Sequence, residues 1–384
     1  MLSTLNLRER GDTTHLNQEL SMAHRGHAVG KQSLSSNTVR ARVRAAKRAF
    51  TTRRVDLDVV RGLSTVDCAP NAGDLVLAKV LQVRQHPRIE TPEGRKAQLY
   101  AGDDIVVCYG NRYAPNQFEA KVPADLSTCH LVAGGGVAAR MGLRHSGMKP
   151  ATTIEPIGLL LDAQGQRTNL RQWGLTESKT THAGAARVLA VVGSSMDAGK
   201  TTAAGQLIRG LAAAGLRVGA AKITGTGSGG DLWHMIDSGA SRALDFTDAG
   251  HASTYMLEPA EVERIFHTLI DELVTAQSDV IVLEVADGLY QRETEQLLRS
   301  ACFRQSVDGV FLAVRDALAA AAGCDWLRAA GLPLLGVTGA INMAPLSVRE
   351  AEAATGKRVL GEADLTQPDF VTQYVFDASR VCVN

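Results

Sequence analysis

The chain has 384 residues, 45% of them hydrophobic and 21% charged, with a formal net charge of +1. That is the balance of a soluble chain with full cores, and the length leaves room for two or three domains. No apolar run reaches the roughly 18 residues of a membrane span. Six scattered cysteines form no Cys-x-x-Cys pair, so neither a zinc site nor a redox motif is expected, and a reduced cytoplasm is the expected setting.

The first zone, residues 1–65, is basic. Residues 1–62 hold twelve Lys and Arg against five Asp and Glu, a local charge of +7, so the rest of the chain carries −6. It lacks the apolar core and cleavage site of a secretory signal. It reads as an arm with one short basic helix in "TVRARVRAAKRAF". Such an arm is a solvated or subunit-embracing tail first, and a contact for nucleic acid second, because no aromatic residues interleave with its charges.

Residues 66–175 read as a small β-rich domain, a barrel or a sandwich. "DLVLAKVLQV" and "DDIVVCY" are β-branched runs, "TPEG" is a turn between two short strands, and "TTIEPIGLLLD" pairs with "QRTNLRQW". Within this zone Gly134–Gly136 precede an expected helix carrying Arg140 and Arg144, with His145 and Lys149 behind it. A glycine turn before a helix can offer amides to an anion, so this is a secondary candidate for substrate contact.

From residue 187 to 384 the texture is α/β. Near-continuous apolar strands ("RVLAVVG", "LRVGAAK", "DVIVLEV", "VDGVFLAV", "LPLLGVTGAIN", "KRVLGE") alternate with helices beginning near Thr201, Asp231, Pro259, Gln291, Asp316 and Ser347. This predicts a mostly parallel sheet covered on both faces.

The first strand runs into "GSSMDAGKTT", a phosphate loop of unusual length. The usual pattern is Gly-x4-Gly-Lys-Ser/Thr, whereas five residues separate Gly193 from Gly199. Small residues there let backbone amides turn toward phosphate, so Gly193, Ser195, Asp197, Ala198, Gly199, Lys200, Thr201 and Thr202 are the candidate nucleotide-binding residues. Lys200 supplies charge toward the β- and γ-phosphates, and Thr201 a hydroxyl for magnesium. Lys222 ends the second strand, where open α/β sheets bind ligands, and the glycine-rich 225–231 reads as a mobile cover. "VLEVADG" places Glu284 as a magnesium ligand and Asp287 as a catalytic or capping carboxylate. Asn342 follows a strand end, where an Asn amide can read adenine or cap a turn. The Asn-Lys-x-Asp guanine signature is absent, so ATP is expected. His234, His251, Asp231, Asp245 and Asp248 match no ligand spacing.

Gly-x5-Gly-Lys-Thr, the lysine after the second strand and "LEVADG" resemble the dethiobiotin synthetase and amidoligase group of P-loop NTPases, over residues 187–345. Asp197 occupies a different loop position from that group's aspartate, and no proline follows Lys222. The resemblance implies an ATP- and magnesium-dependent enzyme that phosphorylates a small carboxylated substrate, an amide-forming ligase first, with Lys200 and Lys222 at the reacting groups. Asp287 departs from it, "ADG" standing for that group's "AGG", and is this chain's own catalytic candidate. It also places Asn342 at the base. A homo-oligomer and no membrane partner are expected. The alternatives are a nucleotide-hydrolysing switch acting on a protein, and a nucleic-acid kinase or processing factor.

Overall fold

A computed structural model describes residues 35–64, 68–176 and 186–377, and residues 35–377 fall within one compact unit. Helix α1 (Ser36–Ala45) opens it, capped by the Ser35 hydroxyl and burying Val39 and Val43. Strands β1 (Lys47–Arg48), β2 (Gly62–Ser64), β3 (Leu75–Gln82), β4 (Arg88–Glu90), β5 (Lys96–Gln98), β6 (Asp104–Tyr109), β7 (Arg112–Tyr113), β8 (Phe118–Lys121), β9 (Cys129–Ala133), β10 (Val137–Arg144) and β11 (Thr152–Leu161) follow. Apart from the hairpin β4–β5, they join in one sheet ordered β1-β6-β3-β11-β9-β10-β8-β7, with β2 on β11. Strand β10 also pairs in parallel with β6, so the pairings β6-β3-β11-β9-β10 return on themselves. Inward residues such as Val76, Ala78, Val80, Ile105, Val107 and Tyr109 close one core on one face of that circuit.

Three expectations are corrected here. The arm does not extend through residue 65: residues 35–64 pack onto the sheet, with Phe50 fully buried, while residues 1–34 lie outside the described residues. Its cations are engaged inside the fold, Arg42 with Asp104, Lys47 with Asp103, and Arg48 with the carbonyls of Thr52, Arg53 and Val55. The segment after Gly134–Gly136 is strand, not helix, because β10 finds partners in β9, β8 and β6 that outweigh its alanine-rich helical bias. Arg140 turns to Asp125 and Ser127, and Arg144 to the Met148 carbonyl. "QRTNLRQW" forms a 3-10 turn over Leu170–Trp173, with two isolated bridges, Arg167 to Leu161 and Asn169 to Asp74.

The second half alternates β12 (Arg187–Gly193), α2 (Lys200–Ala213), β13 (Val218–Lys222), α3 (Gly229–Asp237), β14 (Arg242–Asp245), α4 (Pro259–Thr275), β15 (Val280–Glu284), α5 (Arg292–Arg299), α6 (Ala301–Ser306), β16 (Gly309–Ala313), α7 (Ala317–Ala329), β17 (Leu334–Thr338), α8 (Pro345–Thr355), α9 (Glu362–Leu365) and α10 (Pro368–Phe376). All strand pairs are parallel, in the order β14-β13-β15-β12-β16-β17. Alternation sends Val188, Ala190 and Val192 into the core beneath α4–α7, and Leu189 and Val191 into the core beneath α2, α9 and α10. "KRVLGE" makes one bridge, Val359 to Val337, rather than a strand. No helix among the described residues is long and apolar enough to cross a membrane.

The two halves meet through charge and backbone. Arg53 bonds Asp245 and Asp248, Tyr255 donates to Glu119, and Glu90 accepts from the Ser228 hydroxyl and the Gly229 amide. The glycine-rich 225–231 is therefore not a free cover. Gly227 donates its amide to Ala252, Gly225 donates to Thr254, and Thr226 bridges Ser253.

Candidate nucleotide site

Strand β12 delivers its last residue, Gly193, to the carboxyl edge of the parallel sheet, between β15 and β16. The loop turns back so that Lys200 opens α2. Two residues take left-handed backbone, Asp197 at φ 60° and Gly199 at φ 95°. The extra loop residue is thus absorbed where an aspartate tolerates positive φ. Gly199 has no such alternative, because a Cβ there would lie 2.7 Å from the Ala340 amide nitrogen. Ala198 is buried, and its carbonyl accepts from that amide. Asp197 accepts from the Asn116 amide, and its carbonyl from Arg315, so both halves of the molecule hold the loop.

The Lys200 side chain folds back over Gly193 and donates to the Ser195 carbonyl at 2.8 Å. Burial lowers its pKa, against the attraction of Glu284 and Asp287. Thr201 Oγ1 lies 3.0 Å from Glu284 and 3.2 Å from Asp231. Thr202 is exposed in the first turn of α2. Lys222 is ion-paired with Asp231. Burial opposes its charge, but Asp231, Glu284 and Asp287 outweigh that and raise its pKa. Burial also works against the Asp231 charge, and Lys222 with Thr201 overcomes it and keeps the carboxylate ionised.

Glu284 ends β15 with 2% exposure. Burial, then the nearby Asp231, pushes its pKa up to about 7. Its Oε2 is buried with no hydrogen-bond partner among the described residues. An orphaned carboxylate oxygen beside a threonine hydroxyl fits a hard cation with oxygen ligands. No group of three or more His, Cys, Asp or Glu among the described residues is arranged to hold a metal by itself. Magnesium suits that donor set, since it takes one or two carboxylates and completes its shell with phosphates and water. Glu284 and Thr201 would hold it, with Asp231 beside them.

Asp287 follows on the turn after β15 and is half-buried, and burial raises its pKa. It lines a cleft of about 530 Å³ with Ser194, Ser195 and Met196 of the loop, Arg315, and Tyr113 and Asn116 of the β unit. Asn342 stands apart from the reacting groups. Its Nδ2 donates to the Gly339 and Leu360 carbonyls, which is a turn-capping role. His234 packs beneath α2 at Gly205, and Asp245 and Asp248 belong to Arg53, so the His and Asp residues do not assemble.

Four residues at the centre were not assigned there from sequence: Asp231, Arg315, Tyr113 and Asn116. Arg315 carried a signal, since it follows the end of the parallel strand β16. Tyr113 and Asn116 carried none, because a distant sheet supplies them.

A parallel sheet whose central strand feeds a glycine loop, a lysine and a helix-opening threonine, with an acidic residue ending the adjacent strand, defines a P-loop NTPase segment. No family model and no curated protein matches the chain. Among solved structures it is similar to the signal recognition particle 54 kDa protein of Aeropyrum pernix K1 in complex with GDP, at 17% identity over 55% of this chain and 51% of that one, with a TM-score of 0.34. The receptor FtsY of Elizabethkingia anophelis gives 18% identity over 56% and 76%, with a TM-score of 0.34. The kinase domain of the Escherichia coli tyrosine kinase ETK gives 16% over 40% and 67%, with a TM-score of 0.30. The chain thus spans about half the length of the signal recognition particle protein. Likeness of this degree concerns fold alone, and the narrower resemblance to dethiobiotin synthetase gains nothing from it.

Proposed function

We propose that the chain is an ATP- and magnesium-dependent enzyme that transfers the γ-phosphoryl group to the carboxylate of a small substrate, ending in an amide. The observation that carries this reading is the cleft itself. The phosphate loop forms one wall, Asp287 and Arg315 another, and Tyr113 and Asn116 a third, so an acceptor can lie against the loop.

In this reading a substrate carboxylate oxygen bonds to the γ-phosphorus. The bond to the β-bridging oxygen breaks, and ADP departs with that electron pair. An amine then attacks the acyl phosphate, releasing phosphate and a proton. Lys200 and Lys222 balance charge on the transferred group, and the loop amides orient it. Arg315 and Tyr113 position the acceptor, and Asn116 steadies the loop through Asp197. Thr201 and Glu284 would hold a magnesium ion, which would supply positive charge beside the phosphate oxygens. The half-buried Asp287, with its raised pKa, takes the proton of the incoming amine. ATP rather than GTP follows from the missing guanine signature, not from Asn342, whose amide nitrogen is already engaged.

The test is ATP turnover by the purified full chain, with and without a pool of small carboxylic acids and amines. Turnover that depends on the pool supports the reading. Slow hydrolysis indifferent to the pool but stimulated by a protein partner would replace it with the switch.

A further inference from the structure

Strand β7 separates two cavities. Tyr113 faces the phosphate-loop cleft, while its neighbour Arg112 lines a second pocket of about 380 Å³, as successive strand residues point to opposite sides. The second pocket lies between the β unit and the start of α3. Its lining includes His86, Arg88, Lys96, Gln117, Thr226 and Ser228.

Arg112 is 7% exposed, yet it makes no ion pair among the described residues. Its hydrogen-bond partners there are neutral. One terminal nitrogen bonds His86 Nε2 at 3.1 Å, the other donates to Gln117 at 2.8 Å, and Nε has no partner. His86 is itself neutral: burial and then Arg112 lower its pKa to about 4. Phe118 covers the guanidinium at 5.6 Å. The carboxylate that acts on Arg112 is Asp287, at longer range and on the far side of the strand. The acid inside the pocket, Glu90, accepts from the Ser228 hydroxyl and the Gly229 amide at Oε2, and its Oε1 lies 3.5 Å from the same hydroxyl. A buried guanidinium held only by neutral groups carries a large desolvation cost that an anion would offset.

We propose that this pocket binds the oxyanion group, carboxylate or phosphate, of a small ligand, with Arg112 as the buried grip. Arg88 and Lys96 stand exposed at the mouth and steer the anion in, and Thr226 completes the lining, the Ser228 hydroxyl being given to Glu90. Glu90, on the pocket wall, fixes the first amide of α3, the helix that carries Asp231. The site is separate from the phosphate loop and does not depend on phosphoryl transfer.

Calorimetric titration of the nucleotide-free full chain at low ionic strength, with inorganic phosphate and with succinate, tests the proposal. Heat from succinate alone assigns a carboxylate ligand, and heat from phosphate alone a phosphorylated one. Arg112→Gln should reduce affinity at least about tenfold, as loss of a buried charge-assisted pair does. Lys200→Ala should leave this affinity unchanged. Should Arg112→Gln fail to fold, the exposed double variant Arg88→Ala, Lys96→Ala serves instead and should weaken binding about threefold or more. The proposal is overturned if neither anion binds, if binding survives a folded Arg112→Gln carried in the Lys200→Ala chain, if the exposed double variant binds as tightly as the original chain, or if Lys200→Ala abolishes binding. The last result would place the anion on the phosphate loop.

Discussion

Two charged centres sit on either side of β7, and they balance their charge in opposite ways. Around Thr201, the cations Lys200 and Lys222 face Asp231, Glu284 and Asp287, so both cations meet carboxylates within the fold and one carboxylate is left in excess, the orphaned oxygen of Glu284. Around Arg112, a buried cation meets an imidazole and an amide. A self-balanced centre is stable when empty and exchanges internal partners for ligand atoms on binding. An unbalanced one is incomplete until a counter-charge arrives. Arg53 gives the reference case, a half-buried arginine between two buried carboxylates, Asp245 and Asp248.

The sharpest way to separate the centres is Lys200→Ala. It should lower ATP turnover by about 10²–10³-fold, the scale of losing one preorganised charge at a transferring group. A steady-state assay that finds turnover unchanged removes Lys200 from the chemistry.

Arg53→Ala tests the reference case. It leaves Asp245 and Asp248 buried and facing each other, where burial and then Asp245 already raise the Asp248 pKa. Loss of about 3–5 kcal/mol in urea unfolding is expected. A loss below about 1 kcal/mol would mean that water reaches the pair and that burial is a poor guide to these charges.

His86 supplies a pH test of the unbalanced centre. Its folded pKa of about 4 lies below the ordinary value of 6.5, so the unfolded chain takes up the proton first as pH falls. Its contribution to stability is complete above about pH 6.5 and is lost toward pH 4, by roughly 1–2 kcal/mol at pH 5. His251, also near 4, acts in the same direction. His86→Gln should shrink the acid-induced drop measured by denaturation at pH 7.5 and pH 5. An undiminished drop would show that the ring is not held neutral beside Arg112.

The smallest effect concerns the cleft wall. Tyr113→Ala removes one aromatic face from the proposed acceptor site and should raise the acceptor KM about fivefold, close to 1 kcal/mol, with little change in KM for ATP. An equal rise for both substrates would place Tyr113 on the nucleotide instead.

The residues that make the balanced centre were largely legible in the sequence because the signal is local. An apolar strand, a glycine loop, a lysine and a helix follow one another within about thirty residues, and Glu284 ends a second apolar run. Strand β14 left no such mark, since "RALD" is four residues long and only half buried. Asp197 departs from the resembled group's loop pattern, and the fold accounts for it as a left-handed residue tied to Asn116. The unbalanced centre was not legible at all. Nothing in "NRYAPNQF" separates Arg112 from a surface arginine, because its missing counter-charge is a property of how β7 packs beneath His86 and Phe118. The basic arm misled for the same reason, since its charges find partners far along the chain.

The most direct test of the account is a crystal structure of the full chain with magnesium and a non-hydrolysable ATP analogue. The account predicts phosphate density along residues 193–202, with the metal at Thr201 and Glu284 and Lys200 released from the Ser195 carbonyl. Nucleotide density elsewhere, or a metal remote from Glu284, would contradict it.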